Sequence, residues 1–245
     1  MNKKIAIIIP ARYGSTRLPA KALIEVEGKP IIQYVWEKAI ASKLANEVII
    51  ATDNELIIEA CKKFGANAMM TDINHKCGSD RIAEVAQKRP DIDYIINVQG
   101  DEPLITPESI DSCISALINN NDADISTLIR VITDKEELDN PNVVKCVKNI
   151  KGYAMYFSRS KIPYERNIEN HEFYAHIGIY GYKKEALFKM TTLPQSGIEK
   201  TESLEQLRAL DNGMKIITAT VKDNAVGIDT AEDVEKFKEK LLSIK

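Results

Sequence analysis

Three cations fall within ten residues at Arg12, Arg17 and Lys21, flanking Gly14 and Ser15 in the stretch PARYGSTRLPAK. Guanidinium and ammonium groups around a backbone that allows close approach suit a polyanion such as a nucleoside triphosphate. A solvated basic loop would have the same composition. What favours phosphate is the apolar run Ile5 to Ile9 directly before the loop, which reads as a strand buried on both faces of a parallel sheet and ending at Pro10. Ligands of open α/β sheets bind just beyond such strand ends. The loop is neither a Walker A turn, since no Gly-Lys-Ser/Thr follows Gly14, nor a G-x-G-x-x-G fingerprint.

Carboxylates supply the second chemistry. An apolar strand over 94–98 delivers Gln99, Gly100, Asp101 and Glu102 to its carboxyl end. Beside a triphosphate cradle this pair suits Mg2+, which binds through one or two carboxylates plus phosphate oxygens. Acids also collect at helix N-termini, and Glu108 behind Pro107 is read that way. Asp229 precedes a helix that Thr230 and Asp233 can cap, so it has no helical duty and is the expected partner of Asp101. Asp91 and Asp93 spell D-x-D but precede their strand, at the wrong end of the sheet, and read as a surface turn.

The elements that must position these groups alternate. A helix follows Pro30 through Ile31, Ile32, Val35, Trp36 and Ala39, then a strand over 47–53. Asp53 is expected to cap the next helix rather than touch a ribose; Gly65 ends that helix, and a third strand spans 66–70. Ser79 and Asp80 open a further helix, where Gly78 and the first N–H groups offer a second anion or base contact, with Arg81 one turn in. This order is a doubly wound half-domain with parallel strands. From Asp124 the pattern changes to strands rich in tyrosine and phenylalanine, the composition of a substrate pocket or a subunit contact. Arg159, His176 and Tyr180 are its polar candidates, although a lone histidine in a strand is more often structural. One helix over 197–213, with Leu204, Leu207 and Leu210 on one face and Glu205 and Gln206 as its polar middle, precedes an edge strand, KIITATV.

With 245 residues, a formal net charge of -3 and 44% hydrophobic residues, the chain has ample core and no basic excess that would point to nucleic acid. The N-terminal apolar run is too short for a signal peptide or a membrane span, so a cytoplasmic protein is expected. Four scattered cysteines without a C-x-x-C pair, and three histidines, make no zinc spacing and read as reduced thiols.

The pattern P-A-R-x-x-S-x-R-L-P-x-K resembles the signature of sugar-activating cytidylyltransferases. NVQGDEP, NPNVVK, GYAMYFSRSKIPY, HIGIYGY, SLEQLRAL and GIDTAEDVE, in that order, extend the resemblance through nearly the whole chain to the 3-deoxy-manno-octulosonate (Kdo) cytidylyltransferases. The resemblance implies a Rossmann-like α/β fold, mostly parallel, in one domain: a nucleotide-binding part over about 1–123 and 214–245, and an inserted sugar-binding and dimerisation part over about 124–213. It further implies a Mg2+-dependent transfer of CMP from CTP to Kdo for lipopolysaccharide biosynthesis, by a homodimer. By the same resemblance Arg12, Gly14, Ser15, Arg17, Lys21, Gly78, Arg81, Gln99 and Gly100 take the nucleotide, and Asp101 and Asp229 hold the metal. Arg12 and Lys21 assist catalysis, while Gln99, Arg159, His176, Tyr180, Glu205 and Gln206 surround the sugar acid. Ala20 stands where a glycine is usual, and Cys77 where serine is. A related sugar acid such as amino-substituted Kdo or a sialic acid, a glycosyltransferase of similar fold, and a non-catalytic nucleotide sensor are the alternatives.

Overall fold

The computed structural model describes residues 3–14, 18–167, 172–223 and 227–244. The chain divides into two compact units, Met1–Asp111 with Ala225–Lys245, and Ser112–Asn224.

In the first unit β1 (Ile5–Ala11) lies between β4 (Glu47–Thr52) and β6 (Tyr94–Asn97), and β5 (Ala68–Met70) pairs with β4; every one of these pairings is parallel. Helices α1 (Ile31–Ile40), α2 (Glu55–Lys63) and α3 (Gly78–Lys88) alternate with the strands, as the apolar spacing predicts. Ala6 through Ile9 have no exposed surface, so β1 is covered on both faces, the condition its unbroken apolar run requires. Parallel strands share one carboxyl edge. The chain segments after Ala11, Thr52, Met70 and Asn97 therefore all leave the sheet at that edge.

A hairpin of β2 (Glu25–Val26) and β3 (Lys29–Pro30) turns through Gly28, whose φ of 77° belongs to the left-handed region. Val26 then joins Ile31, Ile228 and Phe237 in a buried cluster, with Tyr34 edge-on to Phe237 at 5.2 Å. These contacts seat α9 (Ala231–Ile244) and hold the segment before it, which carries Asp229. Thr230 and Asp233 cap α9 reciprocally: Asp233 N–H donates to Thr230 Oγ1 (3.2 Å) and Thr230 N–H to Asp233 Oδ2 (2.9 Å).

The first boundary between the units falls within α4 (Pro107–Ile118). In the second unit β7 (Ile125–Val131) pairs antiparallel with β10 (Tyr174–Lys183) and parallel with the edge strand β11 (Ile216–Thr220). β8 (Lys145–Lys148) pairs antiparallel with the start of β10 and with β9 (Ala154–Ser158). Its helices are α5 (Glu136–Asp139), α6 (Lys184–Thr192), α7 (Gly197–Glu202) and α8 (Gln206–Asp211).

Several expectations are corrected. β1 runs on through Pro10 to Ala11, and α3 starts at Gly78 with Cys77 in the N-cap position. Asn54, not Asp53, caps α2: its side chain accepts from Leu56 N–H at 2.9 Å. The helix expected over 197–213 is two helices, broken at Ser203, whose φ of 52° ends α7. The break lets α8 fold back, so that Arg208 pairs with Glu199 of α7 through two short bonds, 2.6 and 2.9 Å, in a buried environment. Glu199 is also the third residue of a capping box with Ser196.

Candidate active site

The loop after β1 is pinched at its base. Tyr13 C=O accepts from Ala20 N–H at 3.1 Å, and Tyr13 N–H donates to Asp53 Oδ1 at 3.0 Å. Arg12 and Lys21 are the residues just outside this closure. Ser15 and Arg17, two of the expected phosphate ligands, lie outside the described residues. Ala20 has a φ of 53°, a conformation that costs a residue with a Cβ about 1–2 kcal/mol and glycine little, which accounts physically for the glycine usual there.

Directly after Ala20 the chain makes a short 3-10 turn, Lys21–Leu23, that aims the Lys21 ammonium at three oxygens. Lys21 Nζ donates to Asp101 Oδ2 at 2.5 Å, to Ile228 C=O at 2.7 Å and to Asp229 Oδ1 at 3.1 Å. The two aspartates, remote in sequence, thus converge on one cation, and Ile228 N–H to Asp101 C=O (2.8 Å) ties their segments together. Gly100 makes the approach possible. A Cβ there would stand 2.7 Å from the Pro10 carbonyl, inside any real contact. Glu102, next to Asp101, is pushed up to about 8 by burial and then by the neighbouring Asp101 charge, and its Oε2 has no hydrogen-bonding partner among the described residues.

A cavity of about 270 Å³ opens here, lined by Arg12, Lys21, Gly78, Arg81, Gln99, Gly100, Asp101 and Asp229 together with Pro10, Ala11, Ala22, His75, Lys76 and Cys77. Gly14 is not among its lining residues. Arg81 reaches the cavity but is almost fully buried and already engaged: Nη2 donates to Asp53 Oδ2 (2.8 Å) and Nη1 to Thr71 Oγ1 (2.5 Å). His75 and Lys76 join the lining although sequence reasoning passed over them, because nothing in their spacing separates a lining residue from any other loop residue.

In the second unit, Arg159 leaves β9 and is held by main-chain carbonyls. Its Nε donates to Glu202 C=O (2.7 Å) and its Nη1 to Pro141 C=O (2.9 Å). Its guanidinium bonds are all to main-chain carbonyls and, among the described residues, none is to a carboxylate. The Glu202 carboxylate is spent on Ser158 Oγ (2.5 Å) and Arg159 N–H (2.9 Å), and Lys145, fully buried, pins the loop that supplies the Pro141 carbonyl by donating to Asn140 C=O (3.0 Å) and Val143 C=O (2.7 Å). Arg159 is thereby brought to the α7–α8 junction, which carries Glu205 and Gln206. Gln206 is buried, and its Nε2 donor lacks a partner among the described residues. His176 Nε2 lies 2.9 Å from Thr127 Oγ1, its ring 5.1 Å from Phe157 and 5.4 Å from Tyr180; desolvation pulls its pKa down to about 3, so the ring is neutral. Glu202 and Lys145 were not legible, since Glu202 meets its partners only in the folded unit and Lys145 binds carbonyls of its own loop, which no residue type marks.

Residues 6–216 match the profile of the family described as cytidylyltransferase. The 3-deoxy-manno-octulosonate cytidylyltransferase of Chloroherpeton thalassium is 47% identical over 238 residues, covering 96% of each chain. That of Fusobacterium nucleatum is 46% identical over 229 residues, covering 94% of this chain and 93% of the relative. The solved structure of CMP:2-keto-3-deoxy-manno-octonic acid synthetase complexed with CTP is 40% identical, with a TM-score of 0.96 over 99% of this chain and 100% of that one.

Proposed function

This chain belongs to the 3-deoxy-manno-octulosonate cytidylyltransferase family, and from that premise we propose how its own residues carry the reaction. It transfers CMP from CTP to Kdo. The anomeric hydroxyl oxygen of the sugar acid gives up its proton to solvent and bonds to the α-phosphorus, the bond to the bridging oxygen breaks, and pyrophosphate leaves with that electron pair. Two anions must meet before charge moves to the leaving group, so catalysis is chiefly positioning and neutralisation.

One observation supports this reading most directly: the Lys21 ammonium gathers Asp101 and Asp229 at the mouth of the loop that carries Arg12. Arg12 and Lys21 bind and orient the triphosphate, Gly78 offers N–H groups at the start of α3, and Gln99 and Gly100 line the same cavity. Among the described residues no group of three or more His, Cys, Asp or Glu side chains is placed to hold a metal. Two carboxylates that already converge on one cation fit Mg2+ nonetheless, because phosphate oxygens and water complete its shell. Asp101 and Asp229 would hold Mg2+, which when bound neutralises phosphate charge and acidifies a coordinated hydroxyl. Arg159 takes the sugar carboxylate, with His176, Tyr180, Glu205 and Gln206 toward its hydroxyls. The neutral His176 can donate or accept but does not add charge.

The product's use in lipopolysaccharide assembly, a cytoplasmic setting and a homodimer complete the reading. Exposed Ile150, Met155 and Tyr164 in the second unit favour a subunit contact, and among the described residues no helix is long and apolar enough to cross a membrane. The test is to incubate the protein with CTP, Mg2+ and a panel of keto sugar acids and to weigh the products. CMP-Kdo with stoichiometric pyrophosphate is expected; a product with another acid only would move the specificity, and none at all would sink the reading.

A further inference from the structure

We propose that Asp53 is a positioning residue for nucleotide binding, acting as the anchor that fixes the base of the phosphate loop. The inference rests on the reading of Arg12 and Lys21 as triphosphate ligands. Asp53 is the first residue past β4, and Asn54 performs the capping of α2, so the Asp53 carboxylate is released from helical duty. Its two oxygens divide. Oδ1 accepts from Tyr13 N–H at 3.0 Å and Oδ2 from Arg81 Nη2 at 2.8 Å.

Each end of this bridge is tied by a further hydrogen bond. The Arg81 side chain is 3% exposed, and its other Nη donates to Thr71 Oγ1, which in turn donates to the Thr52 carbonyl at 2.9 Å. At the loop end, Tyr13 is clamped on both sides of its residue, since its carbonyl receives Ala20 N–H. Arg12 and Lys21 flank that clamp directly. A displacement of Tyr13 therefore moves the backbone of Arg12 and strains that of Lys21 against the carboxylates that hold its ammonium, while the sheet and α3 stay put. Asp53 is not among the residues that line the cavity. It converts the buried Arg81 charge into a fixed reference point from which the two cations are spaced, and a neutral residue could hold Tyr13 only without the pull of Arg81 on its other oxygen.

The test compares wild type, Asp53→Ala and Asp53→Asn, reading steady-state constants for each substrate, CTP affinity by calorimetry, and hydrogen exchange at the Tyr13 amide. Loss of bonds to a charged group predicts that Asp53→Ala raises the KM and Kd for CTP by about 10-fold or more, with the KM for the sugar acid within about twofold of wild type. Tyr13 exchange should quicken in the same variant. Asp53→Asn keeps an acceptor for Tyr13 but not the ion pair, and should fall between the two; being isosteric, it carries the test by itself if the alanine variant does not fold. Unchanged CTP affinity in a folded variant overturns the proposal, as does an equal rise in both KM values, which marks a general loss of structure. A wild-type protein that binds CTP but turns over no sugar acid counts against the assigned reaction and leaves the anchor to be judged by CTP affinity.

Discussion

Lys21 Nζ and Asp229 Oδ1 lie 3.1 Å apart although 208 residues separate them. Together with Asp101 Oδ2 at 2.5 Å on the same nitrogen, this makes the lysine the counter-cation of the carboxylate pair. A divalent ion approaching those carboxylates must compete with it. In Lys21→Met the competitor is gone and two carboxylates face each other, so Mn2+ should bind the nucleotide-free protein about tenfold tighter or more, read by electron spin resonance. Asp101→Asn and Asp229→Asn should each weaken that binding and lower pyrophosphate release at least about 100-fold, with unchanged circular dichroism. Near-normal release from both would remove the metal assignment.

Ala20 offers a change in the opposite direction. Its left-handed backbone costs about 1–2 kcal/mol, of which glycine's greater freedom in the unfolded chain takes back a part. Ala20→Gly should therefore gain about 0.5–1 kcal/mol and raise the melting temperature by a few degrees, about 1–4 °C for a chain of this size, with activity kept. A lower melting temperature would mean that the turn at Lys21 does not need this conformation.

The Glu199–Arg208 pair holds α7 against α8 with both side chains below a tenth exposed. Removing one partner leaves the other charged and buried, so Glu199→Ala should cost about 3–5 kcal/mol in urea unfolding. Because α7 ends in the Glu202 carbonyl that cradles Arg159, the KM for the sugar acid should rise while that for CTP holds. Replacing both partners by apolar residues should recover much of the stability.

His176 predicts a pH dependence. Desolvation lowers its pKa from the ordinary 6.5 to about 3, so the fold favours the neutral ring. Its folded pKa lies below the unfolded one; the associated stability is complete above about pH 6.5 and is lost as pH falls toward 3, by at most about 1.4 kcal/mol per pH unit for one proton. Urea unfolding at pH 7.5 and 4.5 should show wild type losing more stability than His176→Gln. Parallel losses would mean that the ring is solvated enough to titrate normally.

What the sequence made legible was set by local rules. The run Ile5 to Ile9, the strand ending at Gln99–Asp101 and the Thr230–Asp233 cap each announce themselves within a few residues, and together they locate the loop after β1 and both aspartates. Where two neighbours could play the same part, local rules failed: Asp53 and Asn54 are equally able caps, and only the position of Arg81 decides between them. The α7–α8 break was hidden for a similar reason. Leu204, Leu207 and Leu210 begin a helical spacing directly after it, with no glycine or proline at Ser203 to mark the turn. Glu202 serves the Ser158 hydroxyl and the Arg159 amide more than forty positions back, and Lys145 turns onto the carbonyls of the loop just before it; composition carries no trace of either service.

The convergence of Lys21 on Asp101 and Asp229 also sets a timetable for translation. Lys21 and Asp101, 80 residues apart, leave the ribosome well before Asp229, and everything synthesised between the two aspartates includes the whole of the unit that carries Arg159. A nascent chain paused inside that unit has its cradle cations but only half of the carboxylate pair. By the time Asp229 is made and the convergence on Lys21 can close, the unit that carries Arg159 has already been synthesised.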